Sequence, residues 1–439
     1  KGPAYGMEAV QEDGNNVLEV YDTVKRLAES MRENPRPVLL EAMTFRMRGH
    51  EEASGTKYVP QSLMEEWAQK DPVDNYEKWL LAENILTETA RNSIRETIKA
   101  AIEAGLQEAD AEPMPVADVA EEIADMYRDF EPDASLVIRY QLSVVSEQAP
   151  AGARPPLTTD NEQLTTKELR FVDAIQEGLR QSMVRYPDLV LMGQDIADYG
   201  GVFKITEGFV AEFGKARVRN TPLCESAIVG VGLGLSIRKK KSMVEMQFAD
   251  FVTCGFNQIV NNLAKSHYRW GQNADVVIRM PTGAGSAAGP FHSQSNEAWF
   301  THVPGLKVVY PSNPHDAKGL LCAAFEDPSP VLYFEHKMLY RSLSGPVPEA
   351  YYTTPIGQAA LAAEGEELSI ITYGMGVRWA LQVCQDLGVS ADILDLRTLL
   401  PWDQEAVRQT VAKNGRVLVL HEDTMTGGIG GEIAAWIGE

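Results

Sequence analysis

The sequence predicts an α/β chain built from doubly wound parallel sheets, on three observations. Short runs rich in Val, Ile and Leu alternate with segments of helical period through most of the 439 residues. Polar and titratable residues gather in the loops that follow those runs, where open parallel sheets bind ligands. No internal repeat or low-complexity tract interrupts the alternation.

Composition sets the outer limits. With 44% hydrophobic residues the chain can bury large cores, and its length suggests about two to four domains. A formal net charge of −22 argues against nucleic acid or an anionic membrane as partner. Cys224, Cys254, Cys322 and Cys384 form no CxxC pair and no metal-ligand spacing, so they read as free thiols of a reducing compartment. No apolar run is long enough to span a bilayer, and nothing resembles a signal peptide. Because the sequence opens on Lys1 and stops at Glu439 as a helix begins, it reads as a piece of a longer fused protein, with any targeting segment outside it.

In chain order, apolar residues at 17, 18, 20, 21, 24, 27, 28 and 31 predict a helix over Val17 to Glu33, stopped by Asn34-Pro35-Arg36-Pro37. A short strand from Val38 leads into the basic loop Thr44-Phe45-Arg46-Met47-Arg48-Gly49-His50, which on its residues alone is a solvated loop beyond a strand end. Ser62-Leu63-Met64-Glu65 has the capping-box pattern. Ala90, Ile94, Ile98, Ala101, Ile102 and Leu106 form one stripe on a long amphipathic helix, and a further helix is expected over Val116 to Tyr127. Ser146 to Gln163 is the expected linker, with three prolines and few apolar residues.

A second capping box, Thr165-Thr166-Lys167-Glu168, is expected to open a helix to about Tyr186, followed by the strand Leu189–Met192 and then Gly193-Gln194-Asp195. Thr221 to Ile228 places Glu225 alone among apolar neighbours at a strand-to-helix junction, and the charge-poor run Val229 to Ile237 implies burial. A carboxyl group out of water holds a proton more readily, which suits an acid that must hand one over near neutral pH. A first-turn Glu complementing the helix dipole fits the same residues. Val244 to Phe251 is a strand end, Phe251 to Arg269 a helix, and Val276 to Met280 a strand. That strand feeds the glycine-rich loop Gly283–Gly289 and then Pro290-Phe291-His292-Ser293-Gln294, which has neither Walker nor dinucleotide spacing. A loop histidine such as His292 can exchange a proton near neutral pH, whereas His302, His315 and His336 read as structural. Asp327-Pro328-Ser329-Pro330 is ordinary turn chemistry, and the basic run Arg238 to Lys241 a solvated loop. Gly345 to Thr354 reads as a second linker before strands at Ser369, Ile393 and Val417.

Residues from about Leu164 to Glu439 resemble the beta subunit of the E1 component of 2-oxo acid dehydrogenase complexes. The carrying segments are Leu223-Cys224-Glu225, Asp198-Tyr199-Gly200-Gly201-Val202-Phe203, Gln247-Phe248-Ala249-Asp250 and His292-Ser293-Gln294. Residues up to about Phe130, with Thr44-Phe45-Arg46 and Gly49-His50, resemble the end of the alpha subunit of the same thiamine-diphosphate enzyme. The resemblance implies the thiamine-diphosphate-binding fold plus the start of a transketolase-type C-terminal domain. It divides the chain into 1–145, a linker at 146–163, a pyrimidine-binding domain at 164–344 and an incomplete domain at 345–439.

The same resemblance implies the roles. Glu225 binds N1′ of the aminopyrimidine ring, with Leu223, Gln247 and Phe251 around it. His292 acts on the substrate and in acyl transfer, while His50, with Arg46 beside it, meets the diphosphate at the site mouth. Glu51 stands where regulated members carry a phosphorylated Ser. Gln247, where pyruvate-specific relatives tend to carry Met, leans towards branched-chain acids. The implied cofactors are thiamine diphosphate with Mg²⁺, whose Gly-Asp-Gly motif belongs upstream of this sequence, and a structural monovalent cation near Asp327. The piece alone is then expected to bind cofactor weakly and to be inactive. The implied partners are a 2-oxo acid such as 2-oxoisovalerate and a lipoylated E2 acyltransferase, in a homo-oligomer with no nucleic-acid or membrane partner. A bacterial-type cytoplasmic setting is expected, with a mitochondrial precursor as the alternative because any targeting segment lies outside the sequence. The rival readings are a pyruvate dehydrogenase E1, a transketolase or deoxyxylulose-phosphate synthase, and a non-catalytic assembly piece.

Overall fold

The computed structural model describes residues 2–49, 56, 59–116, 118–138, 158–159, 162–163 and 165–439. They form two compact units, Lys1–Val116 and Ala117–Glu439.

In the first unit, strand Glu8–Asp13 pairs in parallel with Val38–Met43 across the helix Val17–Glu33. Asn16 caps that helix, and it ends before Pro35 as its period and that proline require. Glu8–Asp13 is mostly polar and gives no strand signal of its own; its long-range partner makes it one. The Ser62–Glu65 capping box is not used. The helix Gln61–Ala68 starts two residues earlier than that box allows, with Pro60 at the cap position and no side-chain cap bond. Helix Pro72–Ala82, capped by Asp71, follows. Helix Glu88–Ala111 begins at the Thr87 cap, and Ile94, Ile98 and Ile102 of its apolar stripe are exposed.

The second unit is organised on a seven-stranded sheet in the order Thr398–Leu400, Lys307–Val309, Val331–His336, Val276–Thr282, Ser242–Glu245, Val190–Gly193 and Val218–Asn220. Every pairing is parallel except that of Thr398–Leu400. Val276–Thr282 and Val331–His336 are buried at every position, as strands covered on both faces must be. Alternation along the strands separates two cores. Met192, Val244, Ile278 and Leu332 face the helix Glu225–Ile237. Leu191, Met243, Val277 and Tyr333 face helices Phe171–Arg185 and Pro314–Glu326. A four-stranded C-terminal sheet, Ala360–Ala363, Ala391–Asp395, Leu368–Thr372 and Val417–Val419, joins the first core through Ile371, Leu394 and Leu396.

Several local expectations give way to tertiary pairing. Thr165–Glu168 opens no helix: Thr166–Arg170 is a strand, antiparallel to Ser344–Pro348, and the helix starts at Phe171. The same pairing makes a strand of residues that read as linker after Gly345. The single helix expected over Phe251 to Arg269 is a 3-10 segment Ala249–Gly255, a π turn Gln258–Leu263 and a short helix Ser266–Trp270. Gly255 lies there on the Glu225 backbone, where an added Cβ would stand 3.4 Å from the carbonyl oxygen. The helix near Tyr127 is confined to Val119–Ala124. Of Ser146–Gln163, only the small hairpin Thr158–Thr159 with Glu162–Gln163 lies within the described residues.

Arg279, fully buried at mid-sheet, bonds both neighbouring strands. Its Nη1 donates to Glu245 (2.6 Å), and its Nε and Nη2 donate to the two Glu335 oxygens (2.5 and 2.7 Å). Burial disfavours the guanidinium charge, but the two carboxylates hold its pKa above the ordinary value. Arg279→Met would leave two buried carboxylates unpaired. The expected cost is about 3–5 kcal/mol, seen as a melting temperature lower by about 5–15 °C; an unchanged melting curve would refute the triad's weight.

Glu297 is fully buried and accepts from the Tyr373 hydroxyl (2.9 Å), and its second oxygen has no hydrogen-bond partner among the described residues. Burial, with Asp423 and Glu422 nearby, pushes its carboxyl up to about 8. A folded-state pKa above the unfolded one gives stability that is complete at low pH and lost as pH rises towards 8. Glu297→Gln should therefore gain thermal stability over the native chain at about pH 8.5 and little or none at about pH 5, in paired melting curves.

Candidate active site

Six parallel strands of the large sheet end on one edge, and the loops beyond five of them carry the chemistry. After Val190–Gly193 come Gln194 and Asp195. Val218–Asn220 leads through Thr221–Cys224 into the helix Glu225–Ile237. Ser242–Glu245 is followed by Gln247 and Phe248, Val276–Thr282 by the loop with His292, and Val331–His336 by Lys337.

Glu225 is the first residue of its helix, only 9% exposed, and its Oε1 accepts from Gln194 Nε2 at 2.8 Å. Gln194 is itself buried, so the carboxylate is held in one orientation by a neutral donor. The next residue, Asp195, sits at φ 59° in the left-handed region and accepts from Gln247 Nε2 at 3.4 Å. Two successive residues thus hold Glu225 and Gln247. Leu223, before the helix, is exposed.

Past Gln247 the wall is aromatic. The Phe248 ring stands edge-on to His292 (4.9 Å between centroids), Phe251 (5.6 Å) and Phe203 (5.7 Å), and Phe251 is 5.5 Å from His292. The loop carrying His292 is closed at its neck: the Gly283 N–H and the Thr282 hydroxyl both donate to the Gln294 carbonyl, at 3.2 and 3.0 Å. Asp250 accepts from the Gln294 N–H at 3.0 Å. His336, expected to be structural, lies directly against this loop. A Cβ at Gly283, where φ is +99°, would fall 2.2 Å from its Nε2. Lys337 is buried, its amine has no hydrogen-bond partner among the described residues, and burial pulls its pKa down to about 8.

Arg46 belongs to the first unit, where its Nε donates to the Arg48 carbonyl at 3.2 Å. His50 lies outside the described residues. Asp327 accepts from the Ser329 N–H (2.9 Å) and from the Lys307 ammonium. The Pro328 and Pro330 carbonyls accept from Ala274 and Lys307. That turn has its positive charge from within the protein. Among the described residues no group of three His, Cys, Asp or Glu could hold a metal ion.

Three family models match, end to end along the chain. They are the dehydrogenase E1 component over residues 1–118, the transketolase pyrimidine-binding domain over 167–342 and the transketolase C-terminal domain over 357–439. The beta subunit of 2-oxoisovalerate dehydrogenase from Bacillus subtilis is 45% identical over 276 residues, 62% of this chain and 84% of that one. The chain belongs to the 2-oxo acid dehydrogenase E1 family. A mitochondrial 2-oxoisovalerate dehydrogenase subunit beta 2 of Arabidopsis thaliana is 43% identical over 66% of this chain and 82% of its own. The pyruvate dehydrogenase E1 beta subunit of Staphylococcus aureus is 39% identical over 62% and 85%.

E1 and transketolase families depend on thiamine diphosphate, and the residues present fit its aminopyrimidine half. A buried carboxylate at the strand ends, backed by a neutral donor and followed by an aromatic wall, suits a flat heterocycle with a protonatable nitrogen. Sequence reading did not find the residues that hold the E1 side chains. Gln194 and Asp195 stand next to a recognisable strand, but their partners lie 31 and 52 residues away. Asp250 and Lys337 carry no local signal either.

Gly283→Ala tests the loop's seating. Backbone strain at positive φ costs about 1–3 kcal/mol, and the contact with His336 adds to it. Melting should fall by several degrees, and a crystal structure should show the 283–295 loop displaced; an unmoved loop would be the contrary result.

Proposed function

We propose that this chain decarboxylates branched-chain 2-oxo acids, 2-oxoisovalerate among them, and passes the acyl group to the lipoyl group of a separate E2 acyltransferase. The observation that carries the reading is the Glu225 carboxylate, buried at the strand ends and fixed by Gln194, in a chain of the E1 family. Thiamine diphosphate, when bound, supplies the nucleophilic carbon and the electron sink. Glu225 holds the proton at the aminopyrimidine N1′, and Gln194 keeps that carboxylate aimed. Gln247 and Phe251 wall the ring, with Leu223 beside it. His292 exchanges a proton with the substrate oxygen, its imidazole braced by Phe248 and Phe251.

The family pattern gives Arg46 and His50 the diphosphate and divides the chain into 1–145, 164–344 and 345–439. Mg²⁺ accompanies the diphosphate. A monovalent cation near Asp327 would rest on backbone carbonyls, since Lys307 already neutralises that carboxylate. The active form is a homo-oligomer.

Several of the similar relatives are named for 2-oxoisovalerate and one for pyruvate, so the acyl pocket decides. The rings of Phe203, Phe248 and Phe251 offer apolar surface to a branched side chain. In the complete enzyme, with an artificial electron acceptor, kcat/KM should favour 2-oxoisovalerate over pyruvate by about tenfold or more. Glu225→Gln should lower decarboxylation by about 10²-fold or more. A variant close to native rate sinks the assignment of that residue, and a preference for pyruvate sinks the substrate.

A further inference from the structure

One carboxylate of the C-terminal domain reaches the loop that carries His292. Glu422 follows the strand Val417–Val419 by three residues, and its two oxygens divide their work. Oε1 accepts from the Ala284 N–H, at the start of the loop, at 3.1 Å. Oε2 accepts from the Ser295 hydroxyl, at the end of the loop, at 3.2 Å and lies 2.7 Å from His336 Nε2. The Met338 N–H donates to His336 Nδ1 at 3.3 Å, which leaves the ring hydrogen on Nε2, facing Glu422. Three donors thus converge on one carboxylate from both ends of the loop and from the strand beneath it. We infer that Glu422 is a positioning residue for His292: it closes the 283–295 loop from the C-terminal domain and fixes where the imidazole stands.

Two further observations fit. Gly283 has no side chain where one would strike His336, so the loop can approach the clasp. Burial alone would raise the Glu422 carboxyl, but His336, the Ala284 N–H and Ser295 hold it below its ordinary value, so it is an anion. Nearby Glu297 is pushed the other way, to about 8, and stays neutral. The two acids therefore do not repel each other across the seam, and the charge sits on the one with three donors.

The role assigned to His292 rests on the function proposed above; the clasp itself does not. Amide hydrogen exchange reads the clasp in the full chain with no need for turnover. In Glu422→Ala, amides of 283–295 should exchange at least about tenfold faster while those of 190–193 are unchanged; unchanged loop exchange in folded protein overturns the proposal. Glu422→Gln, which keeps an acceptor for Ala284 and a donor for Ser295, should recover much of the protection. If Glu422→Ala does not fold, Ser295→Ala with Glu422→Gln carries the same expectation. For the chemistry, Glu422→Ala in the complete enzyme should lower kcat about tenfold or more with little change in KM for thiamine diphosphate. It should add nothing in a His292→Ala background. An equal loss in both backgrounds would make Glu422 merely structural. A complete enzyme with no turnover but a protected loop would count against the functional reading and not against the clasp.

Discussion

The site stands on the buried triad of Arg279 with Glu245 and Glu335. Arg279 and Glu245 face each other in register on adjacent strands, and Glu335 comes from the strand on the other side. Glu245 ends its strand and Glu335 is next to last in its own, while Arg279 holds the middle of the longer strand between them. Two residues beyond Glu245 is Gln247, and two beyond Glu335 is Lys337. An ion cluster is a directional fastening, unlike apolar packing, so it sets the relative advance of three strands at the level where their loops begin. A slip of one residue would put a charged side chain into the opposite core. The triad therefore does for register what the two hydrophobic cores cannot do alone.

Above that level, the protein manages buried carboxylates by pushing them apart. Glu422 is held as an anion by three donors while Glu297 is kept neutral. A second pair at the same domain seam behaves alike. Arg397 Nε donates to Asp316 at 2.8 Å, and despite burial the guanidinium keeps that acid well below the usual carboxylate range. Asp395, buried beside it, is raised to about 7. Neighbouring acids in low dielectric cannot both ionise cheaply, so donors are concentrated on one member of each pair. With a formal net charge of −22, such pairing is a condition for packing acids at the seam at all.

This division also shows what was legible in the sequence. Val17–Glu33 could be read because an amphipathic period and a following proline are local signals. Glu225 could be read because a single carboxylate in a charge-poor run is conspicuous without knowing its partners. Thr166–Arg170 could not, because its strand partner lies at Ser344–Pro348 and the local pattern mimics a helix start. Gln194, Asp250 and Glu422 fail for the same reason: each acts through a hydrogen bond to a distant segment, 31, 44 and at least 86 residues away. His336 looked structural because a histidine closing a buried strand usually is; only the return of the C-terminal chain gives it a second neighbour.

That return changes how the C-terminal domain is understood. Its sheet packs on the first core through Ile371, Leu394 and Leu396, which would suffice to hold it in place. Apolar contact does not specify a loop 130 or so residues away to within a hydrogen bond, because such contacts are non-directional. Glu422 supplies the missing direction. Its bonds to Ala284 and Ser295 need the strand Val417–Val419 at the correct height against the large sheet, and that height is fixed by the parallel pairing with Leu368–Thr372. The position of His292 is therefore set from two sides: by Asp250 and the strand ends below, and by the C-terminal sheet through a single carboxylate above. A displacement of that sheet would reach the imidazole before it disturbed Glu225, whose support comes from Gln194 within the large sheet.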